Sequence, residues 1–148
     1  MSAILDFLEG SGPDAAGRSI AGVLAFGLGA LESRHDFIQW LFPLAEASRA
    51  VPSSPTLSPQ DVVAIRASAL AQANLAAAQR RMAWFYESTD HWLGPSDHNH
   101  LRITRIIKSL RLLVGDGQAD QFRAQILAKV NRRPIEITES TRRYWSEA

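Results

Sequence analysis

Apolar residues recur at helical spacing along most of this chain, and no pair of alternating runs reads as paired strands. Residues 4–8 form a short apolar helix or turn, broken by Gly10-Ser11-Gly12-Pro13. Ser19 is placed to cap a helix from Ile20. Residues 20–31 then read as one buried helix, which Gly22, Gly27 and Gly29 weaken by about 1 kcal/mol each. Residues 35–41 predict a second short helix, stopped before Pro43. Residues 43–59 hold Pro43, Pro52, Pro55 and Pro59 among serines and read as an irregular loop.

The strongest start signal follows. Ser58 caps, Pro59 takes the first helical position, and Asp61 stands in for the glutamate of a capping box. The pattern predicts one alanine-rich helix to about Tyr86, roughly 40 Å long. On its wheel Val63, Ala67, Leu70, Ala77, Trp84 and Phe85 share a face with Asn74 and Arg81, and polar groups buried there need partners. Residues 88–95 are a loop. Ser96 or Asp97 caps a helix that ends near Val114, with Gly115 as its stop. Residues 119–131 make a last amphipathic helix with Phe122, Ile126, Leu127 and Val130 inward. Residues 132–148 are a charged tail in which Ile135 and Ile137 alternate, read as an arm that packs late or stays disordered. The expected fold is all-α, a single compact bundle of five or six helices of unequal length. Residues 1–131 form the domain and 132–148 the tail.

Composition narrows the function classes. A chain of 148 residues, 46% hydrophobic and 21% charged, can bury a core as one domain. A net charge of +1 argues against nucleic acid and acidic membranes as global partners. The absence of cysteine excludes thiol catalysis, disulfides and cysteine-ligated zinc. No segment reaches the roughly 18–20 apolar residues of a transmembrane helix. Residues 20–31 imitate a signal core, but they begin late and follow acidic residues, so a cytoplasmic location is expected.

Two stretches are dense in chemistry. Residues 96–110, S-D-H-N-H-L-R-I-T-R-I-I-K-S-L, place Ile103, Ile106, Ile107, Leu110, Leu113 and Val114 on the core arc of a helix. Arg105 and Lys108 fall opposite, near Leu101 and Leu112, with Arg102 at the edge. Thr104 is a mediocre helix former, so packing or a hydrogen bond should hold it. These cations either pair with Glu32, Asp36 or Asp61, or bind an anion near the helix N-terminus. His98 and His100 are two apart and diverge on a helix, which disfavours a shared metal and favours capping by His98 and Asn99. Residues 31–43, L-E-S-R-H-D-F-I-Q-W-L-F-P, offer Phe37, Trp40, Leu41 and Phe42 to the core, with Gln39 satisfied by backbone groups. His35 beside Asp36 and Glu32 lacks a nucleophile, so no enzyme is expected, and no cofactor or metal.

Together these stretches resemble the conserved N-terminal region of opioid growth factor receptors. The resemblance rests on L-E-x-x-H-D-F-I-Q-W-L-F-P, on the following P-x-L-S-P-Q-D, and on H-N-H-L-R-I-T-R-I-I-K-S-L in the same order. It covers roughly residues 4–129. That family is named for binding methionine enkephalin and for restraining growth, and its animal members are described as associated with the nuclear envelope. The short, alanine-rich form looks like a prokaryotic member, for which enkephalin is not the expected ligand. The resemblance implies a receptor-like module, with His35, Gln39, Trp40, His98, Asn99, Arg102, Thr104, Arg105 and Lys108 as candidates for a shared pocket. Its ligand would be a peptide or a small anion. The alternative is a structural or protein-interaction domain, with a protein partner or a homodimer and both motifs serving the core. Nucleic-acid binding through Arg102, Arg105, Lys108, Arg111 and the Arg132-Arg133 and Arg142-Arg143 pairs is a third reading, which the net charge disfavours.

Overall fold

The computed structural model describes residues 2–132 and 137–148. Among them are nine α-helices and no strand, so the all-α class holds while the helix count exceeds the expectation. The chain divides into two compact units, Met1–Ala78 and Gln79–Ala148. No described helix is long and apolar enough to cross a membrane.

In the first unit Ser2 caps α1 (Ala3–Glu9), which ends at Gly10 with φ +84°, a left-handed conformation that glycine adopts without strain. The expected helix over residues 20–31 is two short ones, α2 (Ile20–Leu24) and α3 (Leu28–Ser33), with Gly27 as the cap between them. Only Ile20, Val23 and Leu31 are buried there, so this stretch skirts the core rather than lying within it. The second short helix shrinks to α4 (Ile38–Leu41), where all four side chains are buried. Phe7 meets Trp40 edge-on at 5.5 Å and Phe26 meets Phe37 at 5.6 Å. The proline-rich stretch contains no helix, and its ends are tied by Leu57 N–H donating to the Leu44 carbonyl at 2.9 Å.

The Ser58 start is as expected. The Ser58 hydroxyl accepts from Asp61 N–H at 3.1 Å, and the Asp61 carboxylate accepts from Ser58 N–H at 2.9 Å. The helix it opens, α5 (Pro59–Ala67), does not run to Tyr86. It stops at Ser68, and α6 (Ala69–Ser88) begins anew. The break is fully bonded: Ser68 takes an extended conformation and its hydroxyl accepts from Ala71 N–H. That hydroxyl donates to Glu9 at 2.6 Å, and the Gln72 amide covers the Ile65 carbonyl. Of the expected inner face, Phe85 is buried but Val63, Leu70 and Trp84 are exposed. Val63 is 69% exposed and Leu70 63%, while Ile65, Ala71 and Leu75 fill the core. Asn74 finds its partner in the Leu8 carbonyl at 2.7 Å.

The second unit contains the rest of α6, then α7 (His98–Leu113), α8 (Asp116–Asn131) and α9 (Glu139–Glu147), with α7 packed on α8 and α9. Gly115, at φ +148°, turns the chain from α7 into α8, which starts three residues before the expected Ala119. Ile103, Ile106, Ile107, Leu110 and Leu113 are buried as predicted, whereas Val114 at the C-cap is exposed. The charged tail is not loose where it is described. Thr138 caps α9, Ile137 and Trp145 are buried, and Arg111 and Arg123 hold the carbonyls of Ala148 and Ser146. Ile135 lies outside the described residues.

Candidate functional site

The candidate residues divide between the two units: His35, Gln39 and Trp40 in the first, and His98, Asn99, Arg102, Thr104, Arg105 and Lys108 in the second.

In the second unit the motif on α7 opens with Asp97, whose carboxylate accepts from the backbone N–H of Asn99 at 2.8 Å and from its side-chain amide at 2.9 Å. Asp97, not Ser96 or His98, is therefore the cap, and its negative charge occupies the N-terminal turn where an anion would sit. Asn99 is fully buried. Its carbonyl oxygen accepts from the Tyr86 hydroxyl at 3.1 Å and lies 3.5 Å from an Arg102 nitrogen. His100 Nε2 meets the Trp92 carbonyl at 2.8 Å. The His100 carbonyl in turn accepts from Thr104 Oγ1 at 3.1 Å and Trp145 Nε1 at 3.2 Å, and Trp145 stands edge-on to the His100 ring at 5.7 Å. Thr104 thus has the hydrogen bond its helix-interior position called for. Arg102 is buried rather than at the edge. His98 and Lys108 face solvent, with Arg105 half-buried.

Lys129 completes this network, and the sequence reading passed over it. Its ammonium donates to the carbonyls of Tyr86, Glu87 and Thr89 at 2.9, 2.7 and 2.6 Å and pairs with Asp90 at 2.9 Å. A cation thereby closes the negative end of α6. The signal was present: Lys129 sits among Phe122, Ile126 and Val130 on the buried face of α8. Arg111 and Arg132 are also engaged. Arg111 bridges Asp116 and Asp120 at 2.8 Å each, and Arg132 pairs with Glu87 at 2.9 Å. The hydrogen bonds from Asp120 and Asp116 raise the Arg111 pKa, and the Arg111 hydrogen bond holds the Asp120 carboxyl below its usual range.

In the first unit Arg18 organises the approach to residues 35–42. Buried Asp14 accepts from Ala16 N–H, Arg18 N–H and Arg18 Nε at 2.9, 2.9 and 2.7 Å, and Arg18 reaches Asp36 at 3.0 Å. Burial pulls the Arg18 pKa down, but the two carboxylates outweigh it and raise it. His35 is exposed and Trp40 is buried. Gln39 is only 4% exposed, and its carbonyl oxygen has no hydrogen-bond partner among the described residues. The expected backbone partner is not there. No group of three or more histidine, aspartate or glutamate side chains among the described residues is arranged to hold a metal.

Residues 25–94 match the opioid growth factor receptor (OGFr) conserved region. The chain is also similar to the opioid growth factor receptors of Rattus norvegicus and Mus musculus, each 35% identical over 98 residues that cover 54% of this chain. The chain spans about a sixth of the length of these curated relatives, 17% and 15% respectively. No solved structure matches the chain significantly. The OGFr match contains the motif with Gln39, the proline-rich loop, α5 and α6, and it ends before the motif on α7.

Proposed function

We propose that this chain is a non-catalytic, receptor-like binding module for a short peptide, recognised at residues 35–42 of the first unit, while the α7 motif serves as a scaffold within the second unit. The observation that carries the reading is the buried carbonyl oxygen of Gln39, which has no hydrogen-bond partner among the described residues and lies within the stretch that matches the OGFr region. Such an acceptor costs about 1–3 kcal/mol when left without a donor. A bound N–H or O–H group recovers that cost. A peptide backbone carries such donors at every residue except proline, whereas a small anion is chiefly an acceptor, so the orphan favours the peptide over the anion. The relatives are named as receptors, which agrees. The scaffold role rests on Asn99, His100 and Thr104, whose polar atoms bond inward to Tyr86, Trp92 and their own helix.

A second reading, a protein-interaction domain without a peptide ligand, draws on the same inward bonding. A random hexapeptide display library panned on the protein separates them. Captured peptides should bind wild type by calorimetry and lose at least tenfold affinity to a folded Gln39→Met variant. Capture of no peptide, or equal binding to both proteins, refutes recognition at Gln39.

A further inference from the structure

The net charge of +1 conceals a segregation of charge between the two units. Residues 1–78 carry four basic side chains against seven acidic ones, a net of −3, and residues 79–148 carry twelve against eight, a net of +4. Such an asymmetry between halves points to a polyanionic partner for the basic half. Ion pairs within the second unit cancel equal charges and leave the excess elsewhere: Asp116 and Asp120 hold Arg111, Asp90 holds Lys129, and Glu87 holds Arg132. Part of that excess is Arg80-Arg81 on α6. No aspartate or glutamate occurs between Asp61 and Glu87, so neither arginine has an acidic neighbour one turn away on its own helix. Their shared neighbour is Trp84, four residues after Arg80 and three after Arg81. The Arg81 guanidinium lies over the Trp84 ring, 4.2 Å from its centroid. Trp84 keeps 40% of its surface in solvent and Arg80 is exposed, whereas Trp40, Trp92 and Trp145 are buried. An exposed indole flanked by cations offers a flat apolar face beside positive charge. A carboxylate-rich peptide would engage the arginines and leave the ring idle. A nucleic acid whose bases are unpaired engages both.

We propose that Arg80, Arg81 and Trp84 form a platform for single-stranded nucleic acid, with a base stacked on the indole and the arginines on the flanking phosphates. The site lies on α6 within the second unit and does not depend on the peptide reading, since it uses no part of residues 35–42. The probe is a fluorescein-labelled oligothymidylate of about ten nucleotides, within the usual span of a single-strand site. It is titrated with the full chain at several salt concentrations and followed by anisotropy, and the unlabelled strand is followed by tryptophan fluorescence. Because the other three tryptophans are buried, quenching by a stacked base reports on Trp84. The expected result is saturable binding with quenching, weakened at least tenfold by Trp84→Ala and by Arg80→Glu. Arg80→Ala should also take about 0.7 off the slope of log affinity against log salt, the share of one phosphate contact. Should Trp84→Ala not fold, Arg80→Glu decides, because that position is exposed. No saturable binding, binding without quenching, or unchanged affinity in Arg80→Glu overturns the proposal. Displacement of the strand by an equal concentration of polyglutamate overturns it too and assigns the surface to an acidic polypeptide.

Discussion

Replacing Gln39 by methionine should make the protein more stable. The glutamine buries a carbonyl oxygen that no described group satisfies, at a cost of about 1–3 kcal/mol. Methionine has nearly the same volume and no such acceptor, and volume-conserving swaps cost less than about 1.5 kcal/mol in repacking. The difference leaves a net gain of about 1 kcal/mol, or about 3–4 °C in melting temperature for a chain of this size. Denaturant unfolding followed by far-UV circular dichroism measures it directly. Gln79→Met is the matched control, because Gln79 is also buried but donates to the Gln118 carbonyl at 3.4 Å. That change should be neutral or mildly destabilising. A loss of more than about 1 kcal/mol in Gln39→Met would mean that the glutamine has a structural partner, and the argument for a ligand donor would fall with it.

Asn99→Ala should cost about 3 kcal/mol, since it strands the buried Tyr86 hydroxyl and removes an acceptor from Arg102, whereas Tyr86→Phe should cost about 1 kcal/mol; urea midpoints report both. Lys129→Met should cost about 3 kcal/mol and speed hydrogen exchange at the end of α6, and Lys129→Arg should not rescue it, because a planar guanidinium cannot converge on three carbonyls. Burial raises the Asp61 pKa, but the hydrogen bonds from Ser58 and Ser2 outweigh it and hold the carboxyl below its unfolded value. Its contribution is therefore present above about pH 4 and lost as pH falls through the folded value. Asp61→Asn should flatten the acid limb of the stability curve, as denaturant midpoints at pH 7 and pH 3 would show.

The parts of the fold that depend on neighbouring residues were legible. Ser58, Pro59 and Asp61 announce α5, Asp97 announces α7, and Gly115 stops it, because caps are short-range chemistry. The division of the long helix was not legible, since Ser68 is fixed by Glu9, 59 residues away in sequence. Once the helix breaks there, the angular phase carried from Val63 to Leu70 no longer marks an inner face. Which of the two readings of the tail holds was not legible for a similar reason. Residues 139–147 are mostly polar, and α9 is held by Trp145 reaching the His100 carbonyl 45 residues earlier. For the candidate site, Asn99 stands four residues before Ile103 on the core-facing arc, so its burial could be read. Its partner Tyr86 lies on another helix and could not. The missing partner of Gln39 is a property of the packed core, invisible in any local pattern.

The most direct test is a calorimetric titration of one library-selected peptide into wild type, Gln39→Met and Lys108→Ala. Lys108 is exposed on α7, so its loss leaves the fold intact. The account predicts at least tenfold weaker binding to Gln39→Met and unchanged binding to Lys108→Ala. Binding that survives at Gln39 but falls with Lys108 would contradict it and move recognition to the basic face of α7.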